Sequence, residues 1–132
     1  MISNKIIIKI GSFPVLHQQA NIKDAIDTMN KYKLGSVCVV DKKNKLVGIV
    51  TDGDIRRKLV KFQKPFPEFM NSDIGLICSK NPICIKNKSN FDTEKILKIF
   101  NQNKIWDLPV VDNKKKLKGF IHLQNLIKFK SK

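Results

Sequence analysis

The sequence repeats itself at one offset of 71 residues, and this repeat limits the folds that the chain can adopt. The tripeptide Val-Val-Asp at 39–41 recurs at 110–112, and Lys-Leu-Val-Gly at 45–48 recurs as Lys-Leu-Lys-Gly at 116–119. The offset holds without a gap from about residue 22 to residue 62. Such self-similarity predicts two copies of one structural unit. Each copy is too short to bury a core alone, so the two must pack on one another.

Each copy has the pattern of a β-α-β-β-α unit. Apolar residues at Ile22, Ala25, Ile26 and Met29 have the spacing of one helix face, and Asn21 before them is a suitable N-cap. The second copy shows the same pattern after its own N-cap, Asp92. The expected strands are 13–17, 36–40 and 46–50 in the first copy and 83–86, 108–111 and 117–121 in the second; the helices that close the copies are expected at 52–60 and 123–128.

A link of residues 61–80 joins the two copies. It contains Pro65 and Pro67, and the following residues 68–70 could form one helical turn before the next strand. We place the boundary after residue 65, so that residues 1–65 are repeat 1 and residues 66–132 are repeat 2.

Composition excludes several classes of protein. Hydrophobic residues make up 42% of the chain, so we reject disorder, and no apolar run is long enough to span a membrane. The N-terminus has no signal-peptide pattern, so a cytoplasmic location is expected. The three cysteines, Cys38, Cys78 and Cys84, lack the number and spacing of a disulfide framework or a zinc site. The net charge of +15 raises nucleic acid as a partner, but the lysines are spread along the chain whereas a binding face usually clusters its charge, so we do not expect this partner.

The segment at residues 48–57 is the most informative one, because a strand ends there and a helix begins at about Thr51. One interpretation is structural: Thr51 caps the helix and Asp54, three residues later, reaches back to it. The other interpretation is a ligand site. Free backbone N–H groups at the helix start and the Thr51 hydroxyl suit a phosphate, and the Asp54 carboxylate suits the hydroxyls of a sugar.

The only two arginines of the chain, Arg56 and Arg57, stand beside this motif in a protein that otherwise uses lysine. They favour a site that needs a planar, bidentate donor; the alternative is that they are solvated charges that balance the neighbouring carboxylates. In the second copy His122 replaces the hydroxyl and Asn125 replaces the carboxylate. These two could bind a ligand anion and a diol, or could simply form the polar start of a helix.

Trp106 matches Gly35 in the repeat, and could stack on a ring or pack in the core or an interface.

Catalysis is not indicated by any motif. The pair Asp52 and Asp54 after an apolar strand is similar to the nucleophile motif of haloacid-dehalogenase phosphatases, but Arg56 stands where that motif has Thr or Val. A magnesium site would need a further carboxylate cluster, which the sequence lacks. The sequence has no recognisable catalytic triad, P-loop or dinucleotide-binding motif, so we expect no enzymatic activity and no required cofactor or metal.

The repeat and its motif together resemble a pair of CBS (cystathionine-β-synthase) domains over essentially the whole chain. The pattern Gly-h-x-Thr-x-x-Asp at 48–54, where h is a hydrophobic residue, is similar to the ribose and phosphate signature of that family. The run Thr-Asp-Gly-Asp-Ile-Arg-Arg at 51–57, with Gly-Phe-Ile-His-Leu at 119–123, is most similar to the C-terminal CBS pair of D-arabinose-5-phosphate isomerases of Kdo biosynthesis. The sugar-isomerase (SIS) domain of those enzymes is absent from this sequence, and Asn125 stands where the subfamily usually has Asp.

The resemblance implies an α/β (α+β) fold in which two repeats pack with pseudo-twofold symmetry, enclose two clefts and often dimerise into a disk. It implies a regulatory module that binds a nucleotide such as AMP or ATP, or a sugar nucleotide such as CMP-Kdo, and that regulates a sugar-phosphate isomerase. A CBS module serving a sugar-nucleotide transferase and a purely structural dimerisation module are the alternatives. By resemblance Thr51 and Asp54 would bind the ligand, with His122 and Asn125 in the second copy; Arg56 and Arg57 are added from the chemistry of arginine.

Overall fold

The computed structural model describes residues 4–88 and 91–131, and these residues form a mixed α and β structure. The elements, in chain order, are a 3₁₀ turn (Asn4–Ile6), β1 (Ile8–Lys9), β2 (Val15–His17), α1 (Ile22–Tyr32), β3 (Ser36–Val40), β4 (Leu46–Thr51), α2 (Asp52–Lys61), α3 (Phe66–Met70), α4 (Ile74–Ile77), β5 (Ser79–Lys80), β6 (Ile85–Lys86), α5 (Thr93–Asn103), β7 (Asp107–Val111), β8 (Leu117–His122) and α6 (Leu123–Lys130).

The chain forms two compact units. The first unit is Gly11–Pro82, and the second unit combines the residues up to Ile10 with those from Ile83 onward. From the sequence we placed the boundary between the two repeats after residue 65. That position lies inside the first unit, so the predicted repeat boundary and the boundary between the units differ.

Each unit contains one four-stranded sheet of the same design. The strand order is β2-β3-β4-β5 in the first unit and β6-β7-β8-β1 in the second. In both sheets the first pair of strands is parallel, because a helix connects them, and the other two pairs are antiparallel. The β-α-β-β-α order expected for each copy is therefore confirmed, and each sheet carries one more strand than was expected.

The additional strand of each sheet comes from the segment that precedes the other repeat. β1 lies before the first repeat's core elements and pairs with β8 of the second unit, with Lys9 opposite Gly119. β5 lies 71 residues later and pairs with β4 of the first unit, with Lys80 opposite Gly48. The internal repeat thus extends upstream of the region where sequence similarity reveals it.

The cores follow from the apolar spacing of the helices and the buried central strands. Every residue of β3 is buried, and Val37 and Val39 pack in one core cluster with Ile22, Ala25 and Met29 of α1. In the second unit Ile96 and Phe100 of α5 take the corresponding places. The predicted N-caps hold: Asn21 accepts the Asp24 N–H at 2.8 Å, and the Asp92 carboxylate accepts the Glu94 N–H at 3.0 Å.

The link between the copies is more ordered than the sequence suggested. The predicted helical turn at 68–70 is confirmed as part of α3, and a second turn, α4, follows with Ile74 and Ile77 buried in the first unit. Cys38 is a buried residue of β3, as expected for a small hydrophobe. Trp106 is 70% exposed, so it does not pack in the core, and the ring-stacking and interface alternatives stay predictions.

The turns between the paired strands of each sheet are built identically. Asp41 closes the β3–β4 turn by accepting the backbone N–H groups of Lys43 and Lys45, at 2.8 and 3.0 Å. Asp112 does the same for the β7–β8 turn. These hydrogen bonds, the one from Lys45 or Lys116 most of all, lower the pKa of both carboxyl groups below the ordinary value because they stabilise the ionised form.

Acid should therefore weaken both turns. Because the pKa of each carboxyl is lower in the folded chain than in the unfolded chain, its ionisation favours folding above the unfolded-state pKa, and the contribution is lost as the pH falls through the folded-state value. A double substitution Asp41→Asn, Asp112→Asn keeps an acceptor oxygen and removes the titration. The thermal midpoint of the double variant should fall less than that of the wild type between about pH 5 and about pH 2. Parallel pH profiles for the two proteins would contradict this account.

The glycines that face the additional strands should not tolerate a larger residue. A Cβ at Gly48 would lie 2.7 Å from the Ser79 carbonyl oxygen and 2.6 Å from Cys78 Sγ, whereas a Cβ at Gly119 would meet the movable end of the Ile7 side chain at 2.5 Å. We expect Gly48→Ala to lower the free energy of unfolding by about 1 to 3 kcal/mol, and Gly119→Ala by less, in urea titrations.

Gly53→Ala is the matched control, because it adds a methyl group to a helix where only the Arg57 side chain lies within 3.5 Å. It should leave the stability unchanged or raise it, since alanine favours helix. A Gly48→Ala variant as stable as Gly53→Ala would show that β5 does not approach β4 this closely.

Candidate ligand-binding site

The junction of β4 and α2 is held by reciprocal hydrogen bonds. The Thr51 hydroxyl accepts the Asp54 backbone N–H at 3.0 Å, and the Asp54 carboxylate accepts the Thr51 backbone N–H at 3.0 Å. This arrangement is the capping box that the Thr-x-x-Asp spacing predicts as one of its two interpretations, and that interpretation is confirmed. It fixes both side chains at one corner of the first unit, whatever else they bind.

Arg57 joins this pair on the next turn of α2. Its Nη2 donates to Asp54 Oδ1 at 2.8 Å, so the two Asp54 oxygens are bonded to different partners. The Asp54 side chain is 16% exposed and the Arg57 side chain is 64% exposed, so the carboxylate is held inside the corner while the guanidinium reaches solvent. A Cβ at Gly53 would lie 3.2 Å from Arg57 Nη1, a contact that the exposed guanidinium can relieve by a small movement.

The expectation of free N–H groups at the start of α2 is wrong. The Asp52 N–H donates to the Gly35 carbonyl at 3.0 Å, and the Gly53 N–H donates to the Asp52 carboxylate at 2.9 Å. The third N–H, that of Asp54, is bonded to Thr51. An anion at this corner would therefore meet the Thr51 hydroxyl hydrogen and the Arg57 guanidinium rather than bare helix amides.

Arg56 faces a different surface from Arg57, because successive residues of a helix point about 100° apart. It lines a groove of about 600 Å³ between the C-terminal half of α1 and the outer face of α2. Gly35 and Asp52 are also part of its lining, and we call it the Gly35 groove. The two arginines are therefore neighbours in sequence but do not serve the same corner.

The corresponding junction in the second unit, between β8 and α6, is built differently. His122 occupies the N-cap position of α6 without capping it by its side chain. Its Nδ1 lies 2.6 Å from Oδ1 of Asp107, a cross-strand neighbour that is 9% exposed. Asn125 is exposed on the first turn of α6. The structure thus keeps His122 and Asn125 at one junction but ties the imidazole to a carboxylate.

Asp107 is the functional candidate that sequence reasoning missed. The repeat offset matches it with Ser36, and the strand register places Ser36 opposite Thr51 just as it places Asp107 opposite His122. The pair Ser36 and Thr51 in the first unit therefore corresponds to the pair Asp107 and His122 in the second. The offset alone contained this signal, but only the cross-strand register shows that the two positions meet.

Two further properties bear on the chemistry available. Within residues 4–88 and 91–131, no group of three or more His, Cys, Asp or Glu side chains is placed to hold a metal ion. Over the same described residues, no helix has both the length and the apolar character needed to cross a membrane.

Several larger proteins contain a region that is similar in sequence to this chain. Inosine-5′-monophosphate dehydrogenase of Aquifex aeolicus is 37% identical over 110 residues, which cover 83% of this chain and 21% of that enzyme. An uncharacterized protein of Helicobacter pylori is 30% identical over 123 residues, which cover 93% of this chain and 36% of that protein. This chain therefore corresponds to a minor part of the length of these relatives.

Solved structures with the same fold match over nearly their whole length. CBSX2 of Arabidopsis thaliana, in complex with AMP, has a TM-score of 0.80 at 21% identity and covers 96% of this chain and 92% of that one. A CBS domain pair in complex with 5′-methylthioadenosine and S-adenosyl-L-methionine has a TM-score of 0.81 at 21% identity, with coverage of 99% and 96%. These likenesses confirm the tandem fold.

The family model of the CBS domain matches the chain twice, over residues 5–61 and over residues 72–132. The two matches correspond to the two copies of the internal repeat, each with its own strand-to-helix junction. The chain therefore belongs to the CBS domain family, as a tandem pair of CBS domains.

Proposed function

We propose that this CBS pair senses an adenosine-containing nucleotide at the corner formed by Thr51, Asp54 and Arg57, and that ligand binding regulates an enzyme. The observation that carries the proposal is the ordered Thr51–Asp54–Arg57 cluster in a chain of this family. CBS domains are regulatory rather than catalytic, so the proposed role of this chain is to bind the nucleotide and to transmit the effect of binding to the enzyme.

The polar groups at this corner are suited to bind a ribose and a phosphate. The Asp54 carboxylate has about four lone-pair positions, of which the Thr51 N–H and Arg57 use two, so acceptor capacity remains for a ribose hydroxyl. The exposed guanidinium of Arg57 and the hydroxyl hydrogen of Thr51 are donors for a phosphate. AMP, 5′-methylthioadenosine and S-adenosylmethionine, which bind the two structural neighbours, all contain adenosine with a ribose diol.

Ligand binding can regulate only if the ligand prefers one of two states of the module. A ligand that bonds Asp54 must compete with Arg57, and the guanidinium can then follow the ligand's phosphate. Because Asp54 is also part of the capping box, this exchange of partners would couple ligand binding to the hydrogen bonds that hold the N-terminus of α2. His122 and Asn125 mark the corresponding junction in the second unit, and we keep them as residues of a second ligand position.

The enzyme that the module serves has two candidates. The motifs at 51–57 and 119–123 favour the D-arabinose-5-phosphate isomerase of Kdo biosynthesis, for which CMP-Kdo would be the effector. The 37% identity to the matching part of an inosine-5′-monophosphate dehydrogenase favours a purine enzyme, for which an adenine nucleotide would be the effector. The identity of the ligand therefore separates the two.

A thermal-shift screen should identify the ligand class. We expect AMP or ATP to raise the thermal midpoint of the chain, because a ligand at 100 times its dissociation constant adds about 2.7 kcal/mol to the free energy of unfolding. A shift with CMP-Kdo or CMP and none with adenine nucleotides would favour the isomerase assignment. A chain that forms a tight dimer and responds to none of the four compounds would be a structural dimerisation module, and the sensing role would be rejected.

Two matched N-cap variants should separate ligand binding from helix capping. Thr51 caps α2 and Asn21 caps α1 in the same unit, each within a complete capping box. Replacing either residue by alanine should cost about 1 kcal/mol of stability, since each loses one capping hydrogen bond. Only Thr51→Ala should also weaken nucleotide binding, measured by calorimetry. If both variants bind the nucleotide as the wild type does, the ligand site lies elsewhere.

A further inference from the structure

The end of α2 and the stretch that follows it combine positive charge with exposed apolar side chains. Residues 55–67 contain five basic residues and no acidic one. Val60, on the last turn of α2, is 79% exposed, and Phe66, at the start of α3, is 60% exposed. Apolar side chains that stay exposed inside a run of positive charge mark an interaction surface. We call residues 58–66 the basic segment.

Three lysines, Lys58, Lys61 and Lys64, give the basic segment its charge. Within residues 4–88 and 91–131 none of the three forms an ion pair with a carboxylate. Lys58 Nζ lies 5.5 Å from the centre of the Phe62 ring, and Lys64 Nζ lies 6.0 Å from it. This ring is half-buried against the core of the first unit, so it gathers two ammonium groups at one fixed place. Their mutual repulsion favours an anionic partner.

Phe66 is held outward by the chain around it. It lies between Pro65 and Pro67, whose rings fix their own backbone φ angles. Phe69, on the same short helix, is buried in the first unit, so α3 is anchored while Phe66 remains in solvent. Because the backbone is already ordered, little conformational entropy is lost when this ring binds a partner.

The second unit shows that the fold does not require an apolar residue at the end of this helix. The offset of 71 residues matches Val60 with Ser131 and Lys58 with Phe129. Ser131 is exposed, as Val60 is, whereas Phe129 is partly buried against the core of its own unit. Packing therefore does not explain the valine, and a surface role does.

We propose that the basic segment docks on the surface of a membrane that contains anionic lipids. The lysine ammonium groups contact the headgroup phosphates, while Val60 and Phe66 enter the boundary between the headgroups and the acyl chains. The net charge of +15 adds a long-range attraction that brings the chain to such a surface. This docking is peripheral, so it needs no membrane-spanning helix, and it does not depend on the proposed nucleotide site.

A lipid surface fits the basic segment better than other anions do. A nucleic acid offers phosphates, but it has no continuous apolar layer for an aliphatic side chain such as Val60. A protein carboxylate is met best by the planar fork of arginine, whereas lysine carries a compact charge on a flexible stem. The two arginines of the chain lie elsewhere: Arg57 is bonded to Asp54, and Arg56 lines the Gly35 groove.

Co-sedimentation with lipid vesicles tests the role of the charges. The wild-type chain should bind vesicles of about 30% phosphatidylglycerol in phosphatidylcholine and should not bind vesicles of phosphatidylcholine alone. The triple variant Lys58→Gln, Lys61→Gln, Lys64→Gln should bind at least about tenfold more weakly, since each lysine near the headgroups contributes to the attraction.

A second triple variant is the matched control. Lys114→Gln, Lys115→Gln, Lys116→Gln removes the same charge from three exposed lysines of the β7–β8 turn. It lowers the long-range attraction equally but leaves the basic segment intact, so binding should weaken by less than about threefold.

Two substitutions test the apolar contact. Val60→Ser, which introduces the residue that the second repeat has, and Phe66→Ala should each weaken vesicle binding about threefold or more. Ile10→Ala truncates an apolar side chain that is 50% exposed outside the basic segment, and it should leave binding unchanged. Because Trp106 is the only tryptophan of the chain, a Trp106→Phe chain with Phe66→Trp reports insertion directly. Its emission should shift to shorter wavelength on the vesicles.

Three results would overturn the proposal. The first is a wild type that does not bind the phosphatidylglycerol vesicles at about 100 mM salt. The second is an equal loss of binding in the two triple variants, which would show attraction by net charge alone. The third is a tryptophan at position 66 that emits on the vesicles as an exposed residue does. Binding of polyuridylic acid that depends on the three lysines but not on Val60 would assign the basic segment to nucleic acid instead.

Discussion

The pairing of two very short strands with distant sheet edges is the constraint on which this structure depends. β5 completes the sheet of the first unit and β1 completes the sheet of the second, each with two residues in register. A glycine stands opposite on each receiving strand: Gly48 is required by the close Ser79 carbonyl oxygen, whereas Gly119 faces mainly the movable Ile7 side chain. Without these pairings β4 and β8 would expose unpaired N–H and C=O groups along their edges.

Local signals allowed much of the fold to be predicted from the sequence. The helix-face spacing of Ile22 to Met29, the caps Asn21 and Asp92, and the repeat offset led to five elements per copy, and the structure has them. β1, β5 and α4 were missed because two to four residues cannot show a period, and because their partners lie far away in sequence. The sequence could not decide between the core and the surface for Trp106, because large aromatic residues are usually buried and a single residue shows no period.

The candidate site was predictable to a similar depth. The Thr-x-x-Asp spacing led to a capping box, and the structure contains it; the rarity of arginine drew attention to Arg56 and Arg57. Sequence adjacency could not show that the two arginines point to different surfaces, nor that Asp107 holds His122 across a strand pair. Those facts depend on helix phase and strand register, which only three-dimensional structure provides. The two units thus share one scaffold and differ in the side chains at equivalent positions, which lets one fold present two distinct surfaces.

Each sheet takes one strand from the segment that precedes the other repeat, so the two sheets become complete at different stages of translation. Gly11–Pro82 contains every strand of its own sheet, so this unit can complete its hydrogen bonding while later residues are still being translated. β1 is translated before those strands, whereas its partner residues, Gly119 and Phe120, follow only after the whole of Gly11–Pro82. β1 therefore has to wait for its partner strand, and this contact of very high sequence separation makes closure of the second sheet a slower step of folding than closure of the first.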